Sequence, residues 1–282
     1  MLNHVAIAKE LGLKNVTYKS ISDLAKATPT LLYQEDANVC IMTQFHKAGG
    51  VYAMLKQLLD AKLIKGDVAI SENVTLQFVI DQVTVANTNV IRSADNNVLP
   101  SSRLRAISGN VAESGAFVQY TGEPTFTGTA KVYANEEMAI DALLHREIKA
   151  GNVMVIRGEG PKSGPGMREI NATLALLKGF GLDDKVAVVT DGRIADACNG
   201  IVVGHVTPEA GERNLFSVLQ DGDEIEINVA KGKITCDIKA KELAKRYRDS
   251  DATVGNYGNF FLKNWAKTCS TALDGCVYKT KK

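Results

Sequence analysis

The sequence predicts an α/β protein, and three observations carry that assignment. The first 65 residues are helical in pattern, residues 68 to 135 shift to strand-and-turn patterning, and residues 153 to 206 alternate apolar strands with a helix. At 282 residues the chain exceeds the usual size of one domain, so two are expected. The boundary is placed near residue 95, in the polar stretch SADNNVLPSSR, giving regions 1–94 and 95–282.

Residues 2 to 12 pattern as the last turns of a helix ended by Gly12. Its apolar Leu2, Val5 and Ile7 are expected to find little to pack against within the chain. Val51, Met54, Leu55, Leu58 and Leu59 recur at helical spacing behind Gly49 and Gly50. DVAI, VTLQFVI, VTVANTNVI, AFVQYTG and AKVYA then read as strands. NEEMAIDALLHREI reads as an amphipathic helix opened by Asn135, with Met138, Leu143 and Ile148 as its apolar positions.

Next come strand VMVIR (153–157), a Gly-rich loop, helix MREINATLALLKGF, strand KVAVV (185–189), the TDGR loop and strand IVVGHV (201–206). The helix carries Met167, Ile170, Leu174 and Leu177 on one face. Two apolar strands separated by such a helix predict a parallel βαβ unit, whose loops leave the carboxyl ends of their strands on one edge. GEGPKSGPGMRE and TDGRIADACNG are therefore expected side by side. LQDGDEIEINVAKGKITCDI reads as antiparallel strands around Asp-Gly and Lys-Gly turns, its acidic run being a turn and a solvated strand face. KELAKRYRD and NFFLKNWAKTCSTAL finish the chain as helices.

Composition narrows the function classes. With 45% apolar and 23% charged residues, the chain has the make-up of an ordinary folded protein. A formal net charge of +1 with scattered Lys and Arg argues against a nucleic-acid or anionic-membrane partner, the final KTKK being a solvated tail. No window approaches the ~18 consecutive apolar residues of a spanning helix. Lys9 and Glu10 interrupt what would be a signal peptide, so a cytoplasmic location is expected. The five cysteines (Cys40, Cys198, Cys236, Cys269 and Cys276) form no CxxC pair and signal neither a disulfide framework nor a zinc site.

The loop GEGPKSGPGMRE fails both phosphate-loop patterns, because Lys162 follows Pro161 and the glycines break the GxGxxG spacing. Its glycines and prolines still predict exposed backbone N–H groups before a helix N-terminus, suited to a carboxylate or phosphate. Glu169 has two readings: a first-turn carboxylate favouring the helix dipole, or a hard-cation ligand at the mouth of the anion site.

VIRGEGPKSGPGMRE, KVAVVTDGR, GIVVGHVTPEA and LQDGDEIEI, in this order and spacing, resemble the C-terminal half of the dihydroxy-acid dehydratase and 6-phosphogluconate dehydratase family. FHKAGGVYAMLKQLLDAKLIKGD, GNVAESGAFVQ and FTGTAKVYANEEMA extend the similarity over nearly the whole chain. The resemblance implies a partial α/β N-terminal domain, followed by a β-barrel-like domain flanked by helices. It implies dehydration of 2,3-dihydroxy acids, including sugar acids, and association as homodimers or larger assemblies. It also implies Glu169 as a Mg²⁺ ligand, with Lys162, Ser163, Gly164, Asp191 and Arg193 binding substrate.

Two departures from the family pattern bear on activity. The cysteine-bearing region that holds the family's iron–sulfur cluster has no counterpart in this sequence, so no cluster is expected in this chain alone. After TDGR the family places one residue and then the serine that acts as base; here the positions are Ala195 and Asp196. An alanine methyl group takes no proton, and losing a positioned general base costs roughly 10²- to 10⁴-fold. Asp196 and Cys198 are displaced from the serine position. The expectation is a family member inactive by itself. The alternatives are the C-terminal subunit of a split dehydratase completed by an N-terminal-half partner chain, or a non-catalytic module that binds a small hydroxy acid.

Overall fold

The computed structural model describes residues 1–32, 42–194, 199–250 and 259–279. These divide into two compact units, one of residues 1–23 with 103–282 and the other of residues 24–102. Helix α1 (Leu2–Glu10) belongs to the first unit, and the division falls within α2 (Tyr18–Ala27).

The unit of residues 24–102 contains α3 (Met42–Lys47), α4 (Gly50–Asp60), a ribbon of β1 (Ala69–Ser71) and β2 (Val74–Thr75), and α5 (Leu76–Ile80). Phe45, Ala48, Ala53, Val90 and Ile91 form its small core. Helix α4 lies where the periodicity places it, but it buries Ala53 and leaves Val51 exposed. VTLQFVI, expected as a strand, turns into helix after two residues. The Thr75 side chain accepts a hydrogen bond from the Phe78 N–H at 3.3 Å, a cap that starts α5 and ends β2.

The other unit is built on a closed eight-stranded barrel. Its elements in chain order begin with β3 (Leu104–Gly109), β4 (Ala112–Tyr120), β5 (Thr125–Tyr133), α6 (Glu136–Leu144) and β6 (Asn152–Ile156). There follow α7 (Asn171–Gly179), β7 (Ala187–Thr190), β8 (Ile201–Thr207), α8 (Leu215–Val218), β9 (Glu224–Asn228) and β10 (Lys233–Cys236). Helices α9 (Ala240–Asp249) and α10 (Phe260–Thr268) come last. Around the wall the order is β10-β3-β4-β8-β7-β6-β5-β9, closed by the antiparallel pairing of β9 with β10. Strands β5, β6, β7 and β8 run parallel to one another, while β4 pairs antiparallel with both β3 and β8.

Side-chain alternation sorts the strands into two apolar layers. Val153, Val155, Ala187, Val189, Ile201 and Val203 join one cluster with residues of β9 and β10, which fills the barrel. Met154, Ile156, Val188 and Val202 point the other way, onto Ala139 and Leu143 of α6 and Leu174 and Leu177 of α7. Alanines at 112, 116, 130 and 187 within the inner cluster suit the narrow interior of a small barrel. Of the expected face of α6, Leu143 is buried and Met138 is exposed, because the helix turns Ala139 and Ala142 inward beside Leu143.

Two expectations are corrected. Strand β3 lies where the sequence analysis assigns no element, since LRAISG is only half-buried and its alternation is weak. Leu2 packs with Met167 and Ala272, and Val5 with Tyr18 and Phe117, so α1 is covered from within its own unit while Ile7 stays exposed.

The seam between β3 and β10 depends on Gly109. A Cβ built there falls 1.8 Å from the Ile234 carbonyl oxygen, a backbone atom that has no freedom to rotate away. Gly109→Ala is expected to lower stability by about 1–3 kcal/mol through this overpacking, read as a fall in the urea midpoint at unchanged slope. An unchanged midpoint counts against the seam as a tight contact.

Candidate active site

Strands β6 and β7 end level with each other, Ile156 in register with Thr190. The Gly-rich loop after β6 and the Asp191-Gly192-Arg193 turn after β7 therefore leave the same rim, as the βαβ reading expects. Backbone hydrogen bonds tie them together: Arg168 N–H to Glu159 O at 2.9 Å, Arg193 N–H to Arg168 O at 2.8 Å and Ile170 N–H to Arg193 O at 3.3 Å. His205 in β8 joins them, donating its N–H to Gly192 O at 2.9 Å. The loop also closes on itself through Gly164 N–H to Gly160 O at 2.7 Å. A Cβ at Gly164 would lie 1.7 Å from the Gly158 carbonyl oxygen, so only glycine fits.

The sequence analysis expects this loop to expose N–H groups to a ligand anion; at its start those of Gly158 and Glu159 are instead taken by the protein's own Asp191. This fully buried carboxylate accepts hydrogen bonds from Glu159 N–H (2.9 Å), Gly158 N–H (3.2 Å), the Ser163 hydroxyl (3.0 Å) and Ala210 N–H (3.1 Å). Burial pushes its pKa above the ordinary Asp range, and the four donors oppose that push.

Two further buried carboxyls flank it. Glu209 Oε2 accepts Lys162 N–H at 2.6 Å, and Glu159 Oε1 accepts Glu136 N–H at 2.6 Å. The second oxygen of each has no hydrogen-bond partner. Burial, helped by the Asp191 charge, raises Glu209 from 4.5 to about 9. Burial raises Glu159 to about 7, against its hydrogen bond from Glu136 N–H and the Arg168 guanidinium 3.8 Å away. Four donors and no acceptor face Asp191, an arrangement that favours its charged form, whereas Glu209 is the neutral acid at neutral pH. Arg168 also pairs with Glu136 at 3.2 Å and Glu137 at 2.6 Å, and buried Glu136 in turn accepts the Thr173 N–H in the first turn of α7.

Lys162 is buried and its ammonium faces away from the rim, donating to Ala266 O at 2.7 Å and Cys269 O at 2.5 Å at the end of α10. Glu169 and Arg193 are the exposed members of the set. Their side chains are 41% and 35% exposed, and Arg193 Nη2 lies 3.6 Å from Glu169 Oε1. Helix α7 starts at Asn171, so Glu169 lies outside the first turn, in a short parallel bridge with Arg193. A role in the helix dipole is thereby weakened. Behind Arg193, the buried His205 Nδ1 lies 2.5 Å from the Tyr18 hydroxyl, which donates to Ala272 O at 3.1 Å. Burial, with Arg193 nearby, lowers His205 to about 3, so the ring is neutral.

A metal at this rim would take Glu169 as one ligand. Mg²⁺ usually keeps several waters and one or two carboxylates, yet the described residues hold no convergent group of three or more His, Cys, Asp or Glu side chains. One carboxylate already paired to a guanidinium does not by itself fit a Mg²⁺ site.

This arrangement of barrel, rim and loops coincides with matches to known proteins. Residues 89–276 match the family model "Dihydroxy-acid/6-phosphogluconate dehydratase C-terminal", and residues 1–79 match the corresponding N-terminal model. The chain belongs to the dihydroxy-acid/6-phosphogluconate dehydratase family. Relatives include the dihydroxy-acid dehydratases of Aliarcobacter butzleri, 35% identical over 99% of this chain, and Prochlorococcus marinus, 34% identical over 98%. Each match covers 50% of the relative. That of Desulfitobacterium hafniense is 39% identical over 81% of the chain and 41% of its own length. The chain thus spans about half the length of these curated relatives.

In this dehydratase-family chain the structure brings Ser163, Gly164, Asp191, Arg193 and Glu169 together at one rim. It turns Lys162 toward α10 and Ser163 and Asp191 into the loop. Ala195, Asp196 and Cys198 lie outside the described residues. Sequence reasoning missed Glu159, Glu209 and the Tyr18–His205 pair. Glu159 and Glu209 both lie in short loops just past strand carboxyl ends, the one positional signal that could have flagged them.

Stability of the dehydratase rim is expected to depend on pH with a definite sign. Glu159 and Glu209 bind protons more tightly folded than unfolded, so stability falls as pH rises from their ordinary range toward 7 and 9. Neutral His205 acts oppositely, but only below its ordinary 6.5. Between pH 6.5 and 9 each carboxyl contributes a limiting slope of about 1.4 kcal/mol per pH unit for each proton, opposed by the Met1 amine and the Cys269 thiol, both lowered from ordinary values of 8.0 and 9.0. Glu209→Gln, an isostere of the neutral acid, should flatten the profile of urea unfolding between pH 7 and 9. An equal slope in both proteins removes Glu209 as the source.

Proposed function

We propose that this chain carries the C-terminal part of a carbon–oxygen hydro-lyase site, presents it to a hydroxy-acid carboxylate, and does not dehydrate that acid by itself. The observation that carries the reading is the division of labour at the rim. Asp191, Ser163 and Lys162 spend their hydrogen bonds on the scaffold and Arg168 pairs with Glu136 and Glu137, leaving the half-exposed Arg193 and the exposed Glu169 beside it to face a ligand. Arg193 offers a planar fork suited to a carboxylate. In this reading Asp191, Ser163, Lys162 and Gly164 shape the substrate loop, and Arg193 and Glu169 meet the ligand.

Dehydration needs a base for the weakly acidic C2 proton and help for the departing C3 hydroxyl. Ala195, two residues after Arg193, supplies no base. Glu169 would be this chain's one ligand to a magnesium ion whose other ligands came from elsewhere, and such an ion would supply charge stabilisation at the acid's carboxylate. The purified chain, supplied with Mg²⁺ and a set of sugar acids and 2,3-dihydroxy acids, is expected to release no 2-keto acid above the buffer rate. Clear turnover overturns the reading.

In a second reading this is one subunit of a split dehydratase. A partner chain bearing the cluster cysteines should then co-purify with it as a coloured iron–sulfur complex. Calorimetry with the same acids, with and without Mg²⁺, tests the binding that the first reading requires; no heat of binding in either condition overturns it.

A further inference from the structure

The two thiols at the end of α10 form a second chemical feature, separate from the exposed pair at the rim. Cys269 Sγ and Cys276 Sγ lie 3.3 Å apart, both as free thiols. The segment between them is held by its own backbone: Ser270 N–H to Val277 O at 2.8 Å, Cys276 N–H to Thr271 O at 2.9 Å and Lys279 N–H to Thr268 O at 2.7 Å. A bridge between Cys269 and Tyr278 and the left-handed backbone at Cys276 (φ 53°) complete a tight loop that brings the sulfurs into contact. A disulfide bond of about 2.05 Å lies only about 1.3 Å inside that separation, within reach of side-chain rotation. Cys236, the other described cysteine, is buried in the barrel core away from them.

We propose that Cys269 and Cys276 are a reversible thiol-oxidation site, closed to an intrachain disulfide by a hydroperoxide. Cys276 is part-exposed and Cys269 fully buried, so oxidant enters at Cys276 and Cys269 resolves the product. In the first step Cys276 sulfur attacks the terminal peroxide oxygen, the O–O bond breaks, and Cys276 becomes a sulfenic acid with release of one water. In the second, Cys269 sulfur attacks the sulfenic sulfur, the S–O bond breaks and a second water leaves. Two thiols and one hydrogen peroxide give one disulfide and two waters. Their hydrogen bond, with Lys162 and Lys279 adding charge, lowers Cys269 below the ordinary thiol range and raises Cys276, so the pair's first proton leaves from Cys269; as Cys276 sulfur attacks the peroxide, its proton passes across the 3.3 Å contact to the Cys269 sulfur.

The site also reaches the rim. Cys269 O holds the Lys162 ammonium and Ala272 O holds the Tyr18 hydroxyl, so the loop that oxidation would lock already grips both the Gly-rich loop and the Tyr18–His205 pair.

The test uses the reduced full chain and a short pulse of hydrogen peroxide, followed by denaturation, alkylation and mass spectrometry without reductant. Both cysteines fall in the single tryptic peptide of residues 268–279, bounded by Lys267 and Lys279. That peptide is expected to lose two hydrogens, to take no alkyl group, and to regain two alkylation sites after dithiothreitol. In Cys276→Ser the same pulse should leave Cys269 fully alkylated. The proposal is overturned if the wild-type peptide keeps both alkyl groups while other cysteines oxidise. It is equally overturned if the peptide gains oxygen instead of losing hydrogen, if it is found linked to a different cysteine, or if Cys269 oxidises as fast in Cys276→Ser.

Discussion

The Asp191 carboxylate is the constraint on which the rim depends. It stands at the end of β7 with no contact to water, and its four donors come from three different segments: the start of the Gly-rich loop, Ser163 in the middle of that loop, and Ala210 beyond β8. A buried carboxylate lacking such donors is costly, so the charge can stay only if all three segments converge on it. The backbone ladder from Glu159 through Arg168 to Arg193 follows from that convergence and leaves Arg193 and Glu169 facing outward together. The loop's glycines serve the same end. Gly164 lies against the Gly158 carbonyl and Gly160 against the Glu209 carboxyl, approaches that any side chain would block.

Around this ion the protein concentrates buried acids instead of cations. Glu159 and Glu209 each keep one oxygen without a hydrogen bond, and the guanidinium of Arg168 lies 3.8 Å from Glu159. Neutralising Glu209 by a proton removes the repulsion that two adjacent buried charges would otherwise exert on Asp191. The hydrogen bonds of the rim thus converge on Asp191, while one oxygen of Glu159 and one of Glu209 are left unmatched.

Much of the barrel half was legible in the sequence, because long apolar strands and Asn135-type caps are local signals. The parallel pairing of β6 with β7 and the meeting of the two loops followed from their spacing. Closure into a barrel did not follow from periodicity; it was implied by the resemblance, since the same alternation serves an open sheet. The weakly amphipathic β3 escaped notice, and VTLQFVI was mistaken for a strand because its apolar run outweighs a single capping threonine. At the site, the glycines pointed to N–H groups free for a ligand anion, but sequence cannot tell that those of Gly158 and Glu159 go to the chain's own Asp191. The direction of Lys162 was equally hidden, since its partners are backbone carbonyls of residues 266 and 269.

Those carbonyl partners set an order of events. The Lys162 ammonium is buried, and its acceptors lie 104 and 107 residues further along the chain. At synthesis rates of about 5–20 residues per second, the loop waits on the order of 5–20 s between its own emergence and that of the groups that can satisfy it. Until then the Lys162 ammonium lacks the two carbonyl acceptors it has in the folded chain. The Gly-rich loop is among the earlier parts of the barrel unit to be made and among the last to be completed.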